Sequence, residues 1–151
     1  MSDQNNKVEE IKPAEGTENQ DTILIAEDSL PNRKILTHLL TKLGYNVVAC
    51  EDGKVAREKL EAGEVDNLVV IISDIMMPNE DGLQLLEYTR GNDKYKSIPF
   101  FLATAVSDKE YIMKAKSLNV NGYILKPLTF QRITAKLQEL FPDKRFPKMA
   151  S

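Results

Sequence analysis

The stretch LVVIIS at Leu68–Ser73, with Asp74 directly after it, decides how this chain folds. Six residues without a charge match a strand in length, and Val69, Val70, Ile71 and Ile72 are β-branched. The run does not alternate apolar with polar, so both of its faces are expected to be buried, as in a parallel sheet covered on two sides.

Working outward, short strand-like runs alternate with amphipathic stretches. Upstream, Thr22–Ala26 (TILIA) reads as a buried strand and Asn46–Cys50 as another. Between them Leu30–Leu43 is an expected helix with Ile35, Leu36, Leu39, Leu40 and Leu43 on one face, stopped by Gly44. Lys54–Glu61 is a second helix, ended by Gly63. Downstream, Leu83–Arg90 is helical and Ile98–Ala103 (IPFFLA) is a strand. Ser107 with Glu110 forms a capping box for a helix through Leu118, and Gly122–Leu125 is a short fifth strand. Thr129 caps a last helix carrying Phe130, Ile133, Leu137, Leu140 and Phe141, ended by Pro142. Five successive strand–helix units predict an α/β fold with a parallel sheet and helices on both faces.

The rest of the chain sets bounds. With 151 residues it has room for one domain, large enough for an apolar core without disulfides. A net charge of −3 argues against nucleic-acid binding through an overall field. No apolar run approaches the ~18 residues of a membrane span, and no N-terminal segment resembles a secretory signal. Cys50 is the single cysteine, which excludes an internal disulfide and reads as a small buried strand residue. The expected location is cytoplasmic, and the expected state monomeric. Residues 1–20, whose larger aliphatic side chains are Met1, Val8 and Ile11, read as a disordered acidic tail. Residues 21–141 are the domain, and 142–151 are a short basic tail in which Lys144, Arg145 and Lys148 read as solvated.

In a sheet of this kind, ligands bind at the carboxyl ends of the strands. The residues there are Glu27 and Asp28, Asp74, Thr104 and Lys126. Singly, each has an ordinary explanation: a loop carboxylate, a turn hydroxyl, a surface lysine. Together, three carboxylates converging on one point would repel each other and raise each other's pKa unless a cation joined them. A hard divalent ion with oxygen ligands resolves this, and Mg²⁺ suits a site with few carboxylates. A lysine and a hydroxyl beside a metal match a phosphoryl group. Tyr123 reads equally as a half-buried aromatic and as a moving part. His38 lies off the apolar helix face and reads as solvated. Met77 reads as packing, and Met76 as rim.

The stretches ILIAEDS, IISDIMMPNEDGLQLL, FFLATA and NGYILKPLT, in that order, resemble the response-regulator receiver family, specifically its single-domain chemotaxis type. The resemblance covers Asp21 to Phe141. It implies a flavodoxin-like, doubly wound five-stranded sheet of order 2-1-3-4-5. It implies that Asp74 is the phosphoacceptor. It further implies that Asp28, Asp74 and the backbone carbonyl of Met76 bind Mg²⁺ (with Mn²⁺ able to substitute), Glu27 acting through water. Thr104, Ala105 and Lys126 match the phosphoryl-binding positions, Thr104 and Tyr123 the switch pair, and Pro127 the proline after a cis peptide bond. The implied partners are a sensor histidine kinase and a downstream protein effector or histidine phosphotransfer domain, with a phosphatase for shut-off. The chain is then a phosphoacceptor signalling domain and not an enzyme with a turned-over substrate.

Two departures stand out: Glu27 replaces the commoner Asp, and EVDNLVVIIS before Asp74 is one or two residues longer than usual. Three rivals differ in chemistry. A phosphorelay intermediate would pass its phosphoryl group to a histidine phosphotransfer domain, and the DSLPNR helix opening mildly resembles relay receivers. An aspartyl-phosphate hydrolase would want a second Asp where Met76 stands. A flavin carrier would want a phosphate loop after the first strand, which is absent here.

Overall fold

The computed structural model describes residues 20–105 and 109–146. Within them β1 (Thr22–Ala26), α1 (Leu30–Lys42), β2 (Asn46–Cys50), α2 (Gly53–Glu61) and β3 (Leu68–Asp74) form the first half. The second half is α3 (Gly82–Arg90), β4 (Phe100–Thr104), α4 (Lys109–Ser117), β5 (Gly122–Leu125) and α5 (Phe130–Leu140). The five strands are parallel in the order β2-β1-β3-β4-β5. The chain thus winds one way from β1 to β2 and the other way from β3 onward, which leaves a crevice above β1 and β3.

The unbroken apolar strands follow from a core on each face. Leu24, Ala26, Ile71, Phe100 and Leu102 pack with Ala56, Leu60, Leu83, Leu86 and Ala115 on one side. Ile23, Ile25, Val70, Ile72, Phe101 and Ile124 pack with Leu36, Leu40, Ile133 and Leu137 on the other. Adjacent residues of one strand alternate between the two cores because side chains point to opposite faces with period two. Each fully buried aliphatic side chain stabilises the fold by about 1.5–3 kcal/mol, so helices and sheet hold each other in place.

Helix starts are marked by local caps. The side chains of Ser29, Asp52, Asp81 and Thr129 accept from the backbone N–H groups of Asn32, Val55, Gln84 and Arg132. After α1, Gly44 takes φ 99°, a left-handed conformation that lets the chain reverse into β2.

The long segment before β3 is accommodated in the strand itself. Thr22 pairs with Leu68 but Ile23 with Val70, so the register shifts by one residue at the bottom of the sheet. Asn67, at φ 55°, turns the chain into the strand, and its carbonyl accepts from Thr22 N–H at 2.8 Å. Above the shift the register is regular up to Ala26 opposite Ser73. The irregularity therefore stays away from the strand ends where the acidic residues lie.

Several boundaries and faces differ from expectation. The fourth strand starts at Phe100, since Ile98 N–H is held in a turn by Tyr95 O and Pro99 has no N–H. It runs on through Thr104, and β3 likewise includes Asp74. Ile35 is not on the buried face of α1 but 53% exposed, whereas Leu36, Leu39 and Leu40 are buried. Tyr45 is almost wholly buried. Lys144 is not free in solvent: its ammonium lies 4.5 Å from the Tyr45 ring centroid and 3.8 Å from Asp21 Oδ2. Met77 packs against the first core and His38 is exposed, both as expected. Residues 1–19, Ser107 of the expected capping box, and Lys148 lie outside the described residues.

Candidate functional site

Strand register assembles the site. Ala26 lies opposite Ser73, and Asp74 opposite Ala103, so Glu27 emerges from β1 at the level of Asp74. Thr104 is opposite Leu125, which puts Lys126 one residue above it. Residues up to 99 positions apart in sequence thus meet at one sheet edge. One oxygen each from Glu27, Asp28 and Asp74 lies within 4.8 Å of the others.

Asp74 and Glu27 are the two buried carboxylates of the cluster. Asp74 Oδ1 accepts from its neighbour Ile75 N–H at 3.0 Å and sits 2.8 Å from Lys126 Nζ. The Asp74 side chain is 9% exposed and that of Lys126 32%, so the pair meets at the mouth with the carboxylate on the inner side. Burial pushes the Asp74 carboxyl above the ordinary carboxylate range. Lys126 and the Ile75 N–H oppose that shift without cancelling it, and the Asp28 charge adds to it. On Lys126, burial acts to lower the pKa, but the Asp74 carboxylate outweighs it and the ammonium is held above its usual range.

Glu27 is buried, and burial with the nearby Asp74 charge raises its pKa, against the bond from Ser29 N–H. That bond, 2.9 Å to Oε2, fixes the extra-long side chain. Arg33 Nη1 donates to the Glu27 carbonyl at 2.8 Å from the first turns of α1. Ser29 and Arg33 were not singled out in the sequence. Ser29 caps α1, and its bond to Glu27 depends on the turn after β1. Asp28 is exposed at the rim.

Thr104, the last residue of β4, is buried and its hydroxyl donates to Ala105 O at 2.9 Å, while Ala105 is exposed. Tyr123 is half-buried on β5. Its phenol donates to Ile112 O of α4 at 3.0 Å, and burial raises its pKa. The Lys126–Pro127 peptide bond is cis. Met76 stands in the loop between β3 and α3 with its side chain 53% exposed. Glu27, Asp28, Asp74 and Lys126 are therefore brought together, with Thr104 and Ala105 on the adjoining strand end and Tyr123 farther out against α4. No helix among the described residues is long and apolar enough to cross a membrane.

A flavodoxin-like α/β sheet with an acidic, lysine-braced pocket at its carboxyl edge defines the class of this protein. Residues 23–138 match the family model described as the response regulator receiver domain, and the chain belongs to that family. It is 35% identical over 120 residues to the chemotaxis protein CheY of Pseudomonas aeruginosa, covering 79% of this chain and 94% of that protein. Similarity to the chemotaxis protein CheY-3 of Vibrio cholerae is also 35% over 120 residues, covering 79% of this chain and 90% of that protein. Among solved structures, the chemotaxis response regulator CheY4 of Vibrio cholerae superposes with a TM-score of 0.72 at 28% identity. That match spans 80% of this chain and 98% of the other. The likeness is thus to single-domain, chemotaxis-type receivers, a family of phosphoacceptor signalling domains.

Proposed function

We propose that this protein is a two-component response regulator that accepts a phosphoryl group on Asp74 from a histidine kinase, with Mg²⁺, and signals through its protein-binding surface. The observation that carries this reading is the contact of Lys126 Nζ with Asp74 Oδ1 at 2.8 Å beside the clustered Glu27 and Asp28 oxygens.

The donor set fits a hard divalent cation. Three carboxylate oxygens converge, and two of those groups are held above their ordinary pKa by burial and mutual repulsion, a cost that bound positive charge relieves. Asp28, Asp74 and the Met76 carbonyl would hold Mg²⁺ directly and Glu27 through water; Mn²⁺ would serve as well. Held there, the ion would supply positive charge to offset that on the phosphoryl oxygens.

In the reaction, an Asp74 carboxylate oxygen forms a bond to phosphorus as the bond from phosphorus to the donor's imidazole nitrogen breaks. The imidazole leaves with that electron pair and takes up one proton. Lys126, already aimed at Asp74, moves its hydrogen bond to a phosphoryl oxygen, where a charge-assisted contact is strong. Thr104 supplies a hydroxyl donor, and the small side chain of Ala105 leaves room for the group. The acyl phosphate brings a charge of about −1.5 to −2. Thr104 moving inward vacates space that Tyr123 fills once its bond to Ile112 O breaks. Two surface states thereby change population, and a partner that prefers one of them reads the signal.

The partners are a sensor kinase and a protein effector, with a phosphatase for shut-off, in the cytoplasm, and the protein acts as a monomer. A relay role, with a histidine phosphotransfer domain as partner, draws support from Leu30 and Ile35. These two exposed apolar side chains lie on α1, the helix that flanks Lys126 and Pro127. The test is intact mass after incubation with Mg²⁺ and a small acyl-phosphate donor: one phosphoryl group is gained by the wild type and none by Asp74→Asn. Equal labelling of Asp74→Asn overturns the assignment. Return of the label to an added histidine phosphotransfer domain separates the relay role from terminal output.

A further inference from the structure

We infer that Asp52 and Asn79 are positioning residues, a clasp that holds the β3–α3 loop in the shape needed to present the Met76 carbonyl to the metal. The inference rests on the reading that this loop supplies a metal ligand. It assigns a role to side chains outside the acidic cluster, on an element that contributes nothing to that cluster.

The loop spans residues 75–81 and is strapped at its base. Gly82 N–H donates to Ile75 O at 2.8 Å, and a Cβ at Gly82 would come within 2.2 Å of Asp74 O. Its middle is free of such local closure and is held instead from α2. Asn79 takes φ 68°, which costs a non-glycine residue about 1 kcal/mol or more. Its Nδ2 donates to Asp52 Oδ2 at 2.6 Å. Next to it, Gly53 N–H donates to Glu80 O at 3.0 Å, and a Cβ at Gly53 would lie 2.5 Å from that oxygen. Arg57 Nε then grips both Glu80 carboxylate oxygens, at 2.8 and 3.0 Å.

Capping α2 does not account for this arrangement. The cap needs one oxygen, and Asp52 Oδ1 supplies it to Val55 N–H at 2.9 Å. The other oxygen reaches 27 residues along the chain to Asn79. Asp52 is 2% exposed, so its charge is desolvated and depends on those donors. Burial alone would raise its pKa, yet the bonds from Val55, Asn79 and Lys54 outweigh it and the carboxyl is held below its ordinary value. A buried, fully engaged carboxylate that links α2 to the loop defines a single backbone shape there. Outer partners of this kind orient the groups that touch a metal, and their loss weakens affinity by about 10–100-fold.

The test uses the full chain with Asn79→Gly, Asp52→Ser and the double variant, beside Asp28→Ala. Glycine keeps the left-handed backbone at 79 and serine keeps the α2 cap, so each change removes the link and little else. Mg²⁺ affinity by calorimetry should fall about tenfold in each single variant. The Mg²⁺ midpoint for phosphorylation of Asp74 by an acyl-phosphate donor should rise by the same factor. The rate at saturating Mg²⁺ should match the wild type, while the melting temperature in EDTA should fall modestly for Asn79→Gly, which takes a donor from the buried Asp52 carboxylate. Because the two residues form one link, the double variant should also lose about tenfold, not a hundredfold. Unchanged Mg²⁺ midpoints in both single variants overturn the inference, as does full additivity in the double variant. A wild type that binds no Mg²⁺ overturns the reading beneath it, and Asp28→Ala marks that outcome.

Discussion

Replacing Lys126 with methionine removes the one cation among the described residues in contact with Asp74, while keeping most of the apolar stem. At 2.8 Å the gross attraction is about 6 kcal/mol for an effective dielectric of about 20. Water around the partly exposed ammonium screens much of it, and ordering the long side chain opposes it. A net loss of about 2 kcal/mol at neutral pH follows, below the 3–5 kcal/mol typical when one member of a fully buried pair is deleted. For a domain of this size that lowers the melting temperature by about 8 °C. The pH dependence separates charge from packing. Without Lys126 the folded-state pKa of Asp74 rises further above its unfolded value near 3.8. The penalty of the variant is therefore complete above the folded-state pKa, where Asp74 must be ionised. It disappears below the unfolded value, where Asp74 is neutral in both states. Urea unfolding in EDTA, followed from neutral pH down through the carboxylate range, should show wild type and variant converging. A gap that stays constant with pH would mean that the lost stability was packing, and equal stabilities at neutral pH would show that the pair contributes nothing net.

Asp74→Asn should be more stable than the wild type in EDTA at neutral pH. A raised folded-state pKa means that ionised Asp74 destabilises the fold, an effect that grows as pH rises from the unfolded to the folded value and then levels off; a lower melting temperature for the variant would contradict it. Asp28→Ala should abolish Mg²⁺ binding by calorimetry, while Thr104→Ala keeps it and loses the coupling of phosphorylation to partner affinity; the opposite pattern would reverse the assigned roles. The phosphorylated state should be long-lived. In the receiver family the side chains two residues after the phosphoacceptor and two after the threonine flank the path of the attacking water, and here these are Met76 and Val106, which cannot orient it. Met76→Asn with Val106→Glu should speed decay after donor removal, and equal decay rates would discard water positioning as the cause; Val106 itself lies outside the described residues.

The order of elements was legible because its causes are local. Apolar runs of strand length, helical faces such as Leu36–Leu40, and the cap at Thr129 each reside in a few consecutive residues. The acidic pair, Asp74, Thr104 and Lys126 could likewise be nominated, since the rule that ligands bind at strand ends needs only the strands. Tertiary structure decided what depends on partners distant in sequence. The one-residue shift between Thr22 and Ile23 absorbs the long β2–β3 connection, and a sequence cannot show where a parallel register slips because both neighbouring registers bury apolar residues. Ile35 was misread since helical spacing defines a stripe but not its edge, which the position of the sheet sets. Lys144 looked like tail because its ring and carboxylate partners, Tyr45 and Asp21, lie about a hundred residues upstream. Asp52 was not singled out in the sequence, and only folding brings its second oxygen to Asn79. A side chain's local role is written in its neighbours along the chain, whereas its second bond depends on which distant loop the packed sheet carries to it.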